Sequence, residues 1–239
     1  MTCQHHDMAR IKKGTQAMSS TEMILREEII AQCRWMNQSG LNQGTSGNIS
    51  VRLGEALLIT PSAVAYEAMT PDMIASTDLG AASDTPVWDG PCLPSTEWRF
   101  HYDIARARPD AGAIVHTHSP FATTLAMARM EIPACHYMIA AFGGAPIRCA
   151  GYARYGTQAL SDRALEALVD RQACLLANHG MITIGGTLEK AMWFAVELET
   201  LALQYWQSLQ IGGPVLLSDS EIEETRAAMA DYGVNASKR

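Results

Sequence analysis

Apolar positions set out the elements of this chain. Leu25, Ile29, Ile30, Cys33 and Met36 share one face at helical spacing and predict a helix over 20–38. Ser19 and Glu22 make a capping box at its start, and Gly40 a stop at its end. The polar stretch "LNQGTSGNIS" reads as a loop, and "ISVRL" and "ALLIT" as two short strands joined by a Gly-containing turn. Residues 80–94, rich in Gly, Pro, Asp and Ser, predict a surface loop. "STEWRFHYDIARA" predicts a helix closed at Arg108–Pro109, and "AGAIVHTH" a strand. A short helix over 119–128 starts near Pro120. An irregular section over 130–158 precedes a helix at 161–171. Strands "CLLAN" and "MITIG" then meet at a turn "HG", and a long helix covers 187–209. In that helix Trp193, Phe194, Leu198, Leu201 and Tyr205 form an apolar face that reads as core. An acidic helix over 219–230 closes the order. Residues 1–18 are polar and irregular and predict a flexible tail. The remaining 19–239 form one domain, in which strands and helices mix without strict alternation.

Composition narrows the class. The chain has 239 residues, 48% hydrophobic and 18% charged, which suits one globular domain with a sizeable core. Its net charge of −7 argues against a general grip on nucleic acid or anionic lipid, but not against a small anion held locally. Cys3, Cys33, Cys92, Cys135, Cys149 and Cys174 are scattered, with no C-x-x-C pair, as in a protein of the reducing cytoplasm. No apolar run is long enough for a membrane span or shaped like a signal peptide.

Candidate chemistry begins with "AIVHTHSP". On a strand, residues two apart face the same side, so His116 and His118 can present both rings to one point about 6–7 Å wide. A bare H-x-H also occurs as a polar pair at a strand end. A third imidazole, His179, lies in "CLLANHGMI" where strand meets turn, with Gly180 as the residue a tight turn wants. Three histidines without a nearby cysteine suggest an open, catalytic zinc-type site rather than a closed structural one. Glu97, in the first turn of the "STEWRFHYDIARA" helix, is a candidate base, or else an ordinary glutamate at a helix start. Ser95 and Thr96 beside it, and Gly44, Thr45, Ser46, Gly47 and Asn48 in the earlier loop, offer hydroxyls and backbone N–H groups to an anion. No Lys follows those glycines, so the loop is not a P-loop. The set fits a phosphorylated substrate that chelates a metal.

The segments "GLNQGTSGNISVR", "LITPSAVAYEAMTP", "LPSTEWRFH", "IVHTHSPFA", "HYMIAAFGG", "YARYGT" and "LLANHGMI" occur in the order and spacing of the class II aldolase/adducin family. The chain resembles that family over about residues 20–235. The resemblance implies an α/β single domain with a central, largely antiparallel sheet sandwiched between helical layers, assembled as a homotetramer with active sites at subunit interfaces. It makes His116, His118 and His179 ligands of one Zn2+ or another divalent metal, and Glu97 the acid/base, which also approaches the metal when substrate is absent. It places Thr45, Asn48, Ser95 and Thr96 on the substrate phosphate, with Ser62 and Ala63 as a further contact where relatives often carry Thr-Gly. At Ala63 only the backbone N–H can survive. Tyr137 is implied to reach a neighbouring subunit's site and take the C4 hydroxyl proton, and Tyr232 to be a mobile C-terminal contact. His101 and His136 have no role in the family's motifs.

The implied activity is retro-aldol cleavage of a ketose 1-phosphate, such as L-fuculose 1-phosphate, to dihydroxyacetone phosphate and a short aldehyde. The same fold supports a pentulose-5-phosphate 4-epimerase, a methylthioribulose-1-phosphate dehydratase and a non-catalytic adducin-like scaffold. The last is disfavoured by retention of the histidines and Glu97. The implied partners are a small phosphorylated sugar and further copies of the chain, in the cytoplasm.

Overall fold

The computed structural model describes residues 10–12, 18–81 and 85–229. Strands β1 (Arg10–Lys12), β2 (Asn48–Leu53), β3 (Ala56–Ile59), β4 (Ala75–Asp78), β5 (Val87–Asp89), β6 (Ala113–Thr117), β7 (Cys149–Ala150), β8 (Ala173–Leu176) and β9 (Gly180–Gly185) form one sheet. Their spatial order is β1-β5-β4-β3-β2-β6-β9-β8-β7. Among these described strands the pairs are antiparallel except β1 with β5 and β7 with β8. The segment expected to be a tail thus contributes Arg10–Lys12 to a sheet edge.

Helices cover both faces because the central strands alternate their side chains between two cores. Ile49, Val51, Ala113 and Val115 pack with α1 (Ser20–Ser39), α3 (Pro120–Met127), α5 (Leu188–Leu209) and Ile222 of α6 (Asp219–Met229). Ile114, Ile182 and Ile184 face the other way, onto α2 (Trp98–Ala107) and α4 (Gln158–Ala167). Each fully buried Ile or Leu in these layers contributes about 1.5–3 kcal/mol. The layered, largely antiparallel α/β domain is the architecture expected from the resemblance.

Local signals explain most boundaries. Ser19 accepts from Glu22 N–H and Gly40 takes a left-handed turn, so α1 starts and stops at its expected caps. Two expectations need correction. The 80–94 loop contains strand β5, whose Trp88 is fully buried edge-on against Trp98, ring centres 5.9 Å apart. Three residues between turn formers are too few for periodicity to register. The helix expected at 161–171 is α4 at Gln158–Ala167, because Thr157 caps it by accepting from Leu160 N–H. Among the described residues, no helix is long and apolar enough to cross a membrane.

Candidate metal centre and active site

The candidate residues meet at one end of the sheet. β2 and β6 pair with Asn48 opposite His116, which puts the start of one strand against the end of the other. His118 follows immediately after β6. His179 sits in the turn between β8 and β9, and Glu97 at the start of α2. Glycine at 180 has a reason other than the expected turn. Asn178 takes the left-handed conformation there (φ 55°). A Cβ on Gly180 would lie 2.5 Å from the Thr117 carbonyl oxygen and 2.9 Å from the His118 ring. Only a bare Cα lets β9 pass that close to the histidines.

The three imidazoles converge with ring centres 4.8–5.0 Å apart, and each offers a nitrogen within 4.8 Å of the others. The Nε2 atoms of His116 and His118 are 3.1 Å apart. His116 Nδ1–H donates to the Met181 carbonyl at 2.8 Å, so in the neutral ring Nε2 carries a bare lone pair turned to the centre. Two lone pairs at that distance repel unless a cation or a proton lies between them. Ligands bound at about 2.0–2.1 Å around a tetrahedron stand roughly 3.3 Å apart, close to the spacing seen.

Glu97 completes the cluster. It occupies the N-cap position of α2, not its first turn, and its side chain makes no capping bond. Instead the buried carboxylate turns inward, with Oε2 3.2 Å from His116 Nε2 and Oε1 3.0 Å from His179 Nε2. Oε1 is buried, and the His179 ring is its polar neighbour. A buried carboxylate oxygen beside three convergent imidazole nitrogens, two of them 3.1 Å apart, fits a divalent cation. Burial alone would raise the Glu97 pKa, but His116 and His179 outweigh it and hold the carboxyl well below its usual range. Burial would likewise lower His116, and Glu97 outweighs that and raises it. Burial, helped by the other two rings, holds His118 down to about 4.

Above the centre lies a cavity of about 320 Å³. Thr45, Asn48, Ser62, Ala63, Ser95 and Thr96 all line it, as do Glu97, His118 and His179. Ala63 is left-handed (φ 57°), the conformation for which a glycine would be the ordinary choice. The side chains of two residues expected on the phosphate also have partners within the chain. Asn48 donates to Glu97 Oε2 at 2.9 Å and is paired with His101, and Ser95 Oγ accepts from Glu97 N–H. Tyr137 stands on a 3-10 turn (Tyr137–Phe142), half-exposed and outside the cavity lining of its own chain. His136 caps that turn by accepting from Met138 N–H. Tyr232 lies outside the described residues. Tyr152, Tyr155 and Asn178 line the cavity without having been singled out as site residues. The tyrosines stand in "YARYGT", a segment whose irregular pattern carries no periodic signal.

Comparison with known proteins gives a consistent picture. A family model described as Class II Aldolase and Adducin N-terminal domain matches residues 27–206. A 5-methylthioribulose-1-phosphate/5-deoxyribulose-1-phosphate aldolase of Rhodospirillum rubrum is 48% identical over 92% of this chain and 97% of its own. The L-fuculose phosphate aldolase of Escherichia coli K12 is 44% identical over 88% of this chain and 96% of its own. A solved L-fuculose 1-phosphate aldolase superposes with a TM-score of 0.82 at 35% identity, over 90% of this chain and 99% of that one.

Proposed function

The chain belongs to the class II aldolase and adducin family and is a metal-dependent aldolase of ketose 1-phosphates, and from that premise we propose its substrate and the roles of its residues. The substrate is a deoxy ketose 1-phosphate with an apolar end, cleaved to dihydroxyacetone phosphate and a short aldehyde. The relatives named for methylthioribulose, deoxyribulose and fuculose phosphates share that dihydroxyacetone phosphate half and differ in the aldehyde. The observation that carries this reading is the convergence of His116, His118, His179 and Glu97 at the floor of a hydroxyl-lined cavity.

A divalent cation held by the three histidines, zinc in our reading, supplies Lewis acidity to the ketose oxygens. Thr45, Ser62, Ser95 and Thr96 hold the phosphate, with the backbone N–H groups at Ala63 and at the start of α2, and so fix the ketose in register. The C4 hydroxyl proton leaves to Tyr137 of a neighbouring subunit, which is consistent with its exposure away from its own cavity. Glu97 takes up a proton from water in the cavity it lines and passes it to the carbanionic carbon of dihydroxyacetone phosphate. In the reverse direction its resting carboxylate is the base that removes that proton. Tyr232 contributes from the C-terminal segment.

The test is a panel of ketose 1-phosphates, including the 5-methylthioribulose, 5-deoxyribulose and L-fuculose esters, assayed for release of dihydroxyacetone phosphate with and without chelator. Chelator-sensitive release from at least one is expected. Water loss without a triose product would make the protein a dehydratase. Stereochemical inversion of a pentulose 5-phosphate without triose release would make it an epimerase.

A further inference from the structure

We propose that His101 is a positioning residue for the acid/base carboxylate, acting with Ser50 through Asn48 as a one-way hydrogen-bond relay that sets the orientation of Glu97. This rests on the reading of Glu97 as the acid/base. Glu97 is the N-cap of α2 and His101 follows four residues later within the helix, on the side toward β2. Asn48 and Ser50 lie two apart on β2, on one face of the strand. Where the helix crosses the strand the four side chains interdigitate in the order Glu97, Asn48, His101, Ser50. Asn48 Nδ2 to Glu97 Oε2 is 2.9 Å, His101 Nε2 to Asn48 Oδ1 is 2.5 Å, and Ser50 Oγ to His101 Nδ1 is 2.7 Å. All four residues are at most 5% exposed, so water does not compete for these bonds.

Chemistry gives the relay its direction. An ionised carboxylate only accepts, so Asn48 must turn its NH2 to Glu97 and its oxygen to His101. That oxygen also only accepts, so His101 must carry its proton on Nε2. Nδ1 then holds a lone pair, and the Ser50 hydroxyl must donate to it. Complete burial keeps the ring neutral, which holds that single tautomer through the working range. Each group thereby fixes the next, and the last bond anchors Oε2 of Glu97 while Oε1 stays turned to His179 and the centre. A freely turning Asn48 amide could present its oxygen to Glu97 and repel it. The serine and histidine remove that alternative.

The experiment follows exchange of the hydroxymethyl proton of dihydroxyacetone phosphate in heavy water, with metal-loaded protein and measured metal content. His101→Met keeps the volume and removes the donor. It should lower kcat for exchange by about 10–100-fold, the usual worth of a group that orients a ligand or base. KM should stay unchanged, because the phosphate contacts are untouched. His101→Gln restores an N–H donor and should recover most of the rate. Ser50→Ala, the smallest change, should lower kcat several-fold, and it decides the point should His101→Met not fold. Nitrogen-15 NMR of the metal-loaded wild type should show His101 as the Nε2–H tautomer, whatever the activity. Wild-type kcat in His101→Met, an equal loss in His101→Gln, or an Nδ1–H tautomer would each overturn the relay. A wild type without metal-dependent exchange would overturn the proposed function instead, and the tautomer would still judge the relay.

Discussion

At the scale of the residue, Glu97 shows how burial and neighbours set the charge of a side chain. Position alone suits a helix-start carboxylate, whose loss costs at most about 1 kcal/mol. The absent capping bond and the inward carboxylate remove that role. Glu97→Gln should therefore fold and keep its metal on three histidines, yet lose about 100-fold or more in dihydroxyacetone phosphate proton exchange. Exchange at the wild-type rate would return Glu97 to a structural part. A pH effect follows from the two coupled shifts. His116 is raised above 6.5, so near neutrality a proton competes with the cation for Nε2, and uptake at pH 7 should release protons. Affinity should fall as pH drops through that raised value, whereas His118, held to about 4, competes only in stronger acid. Without metal, the two groups act on the fold in opposite directions. The raised His116 stabilises the fold below pH 6.5 and loses this as pH rises through its folded value. The lowered Glu97 stabilises it above pH 4.5 and loses this as pH falls through its own folded value. Calorimetric titration with zinc in buffers of different ionisation enthalpy counts the protons, and zero release at pH 7 would contradict the assignment.

At the scale of the element, α3 depends on a side chain from another helix. Its N-cap Ser119 makes no side-chain capping bond, and the hydroxyl is buried without a partner. Glu199 of α5 caps it instead, its two carboxylate oxygens accepting from Phe121 and Ala122 N–H at 2.8 and 2.9 Å. Glu199→Ala leaves those donors unpaired and should cost about 1–3 kcal/mol in denaturant unfolding. Because α3 begins just after His118, the variant should also bind metal less tightly. Unchanged stability would show that water replaces the carboxylate fully. α1 was legible because its cap and apolar stripe lie within one window of sequence. The cap of α3 was not, because Glu199 is separated from it by 77 and 78 positions.

At the scale of the whole molecule, the proposed base and the proposed metal centre do not meet within one chain. Tyr137 faces outward, so the proposed catalysis needs an assembly. Mixing Tyr137→Phe protein with His179→Ala protein, each nearly inactive, should restore measurable turnover after subunit exchange. An active mixture needs some sites to pair an intact histidine set with an intact tyrosine from the neighbour. No recovery in proven mixed oligomers would place the base elsewhere. The sequence by itself determined the helices and strands with long periodic patterns, and the H-x-H pair with its third histidine, because those signals are local. Through resemblance it also determined the family. It left β5 as a loop, because three residues between turn formers show no period, and it passed over His101 and the bond from Asn48 to Glu97. The last two depend on which strand meets which helix start. Only the pairing of β2 with β6 and the crossing of α2 over them bring Asn48, Ser50, His101 and Glu97 within hydrogen-bond reach. Such contacts join residues about 50 positions apart, and no periodicity within a single element encodes them.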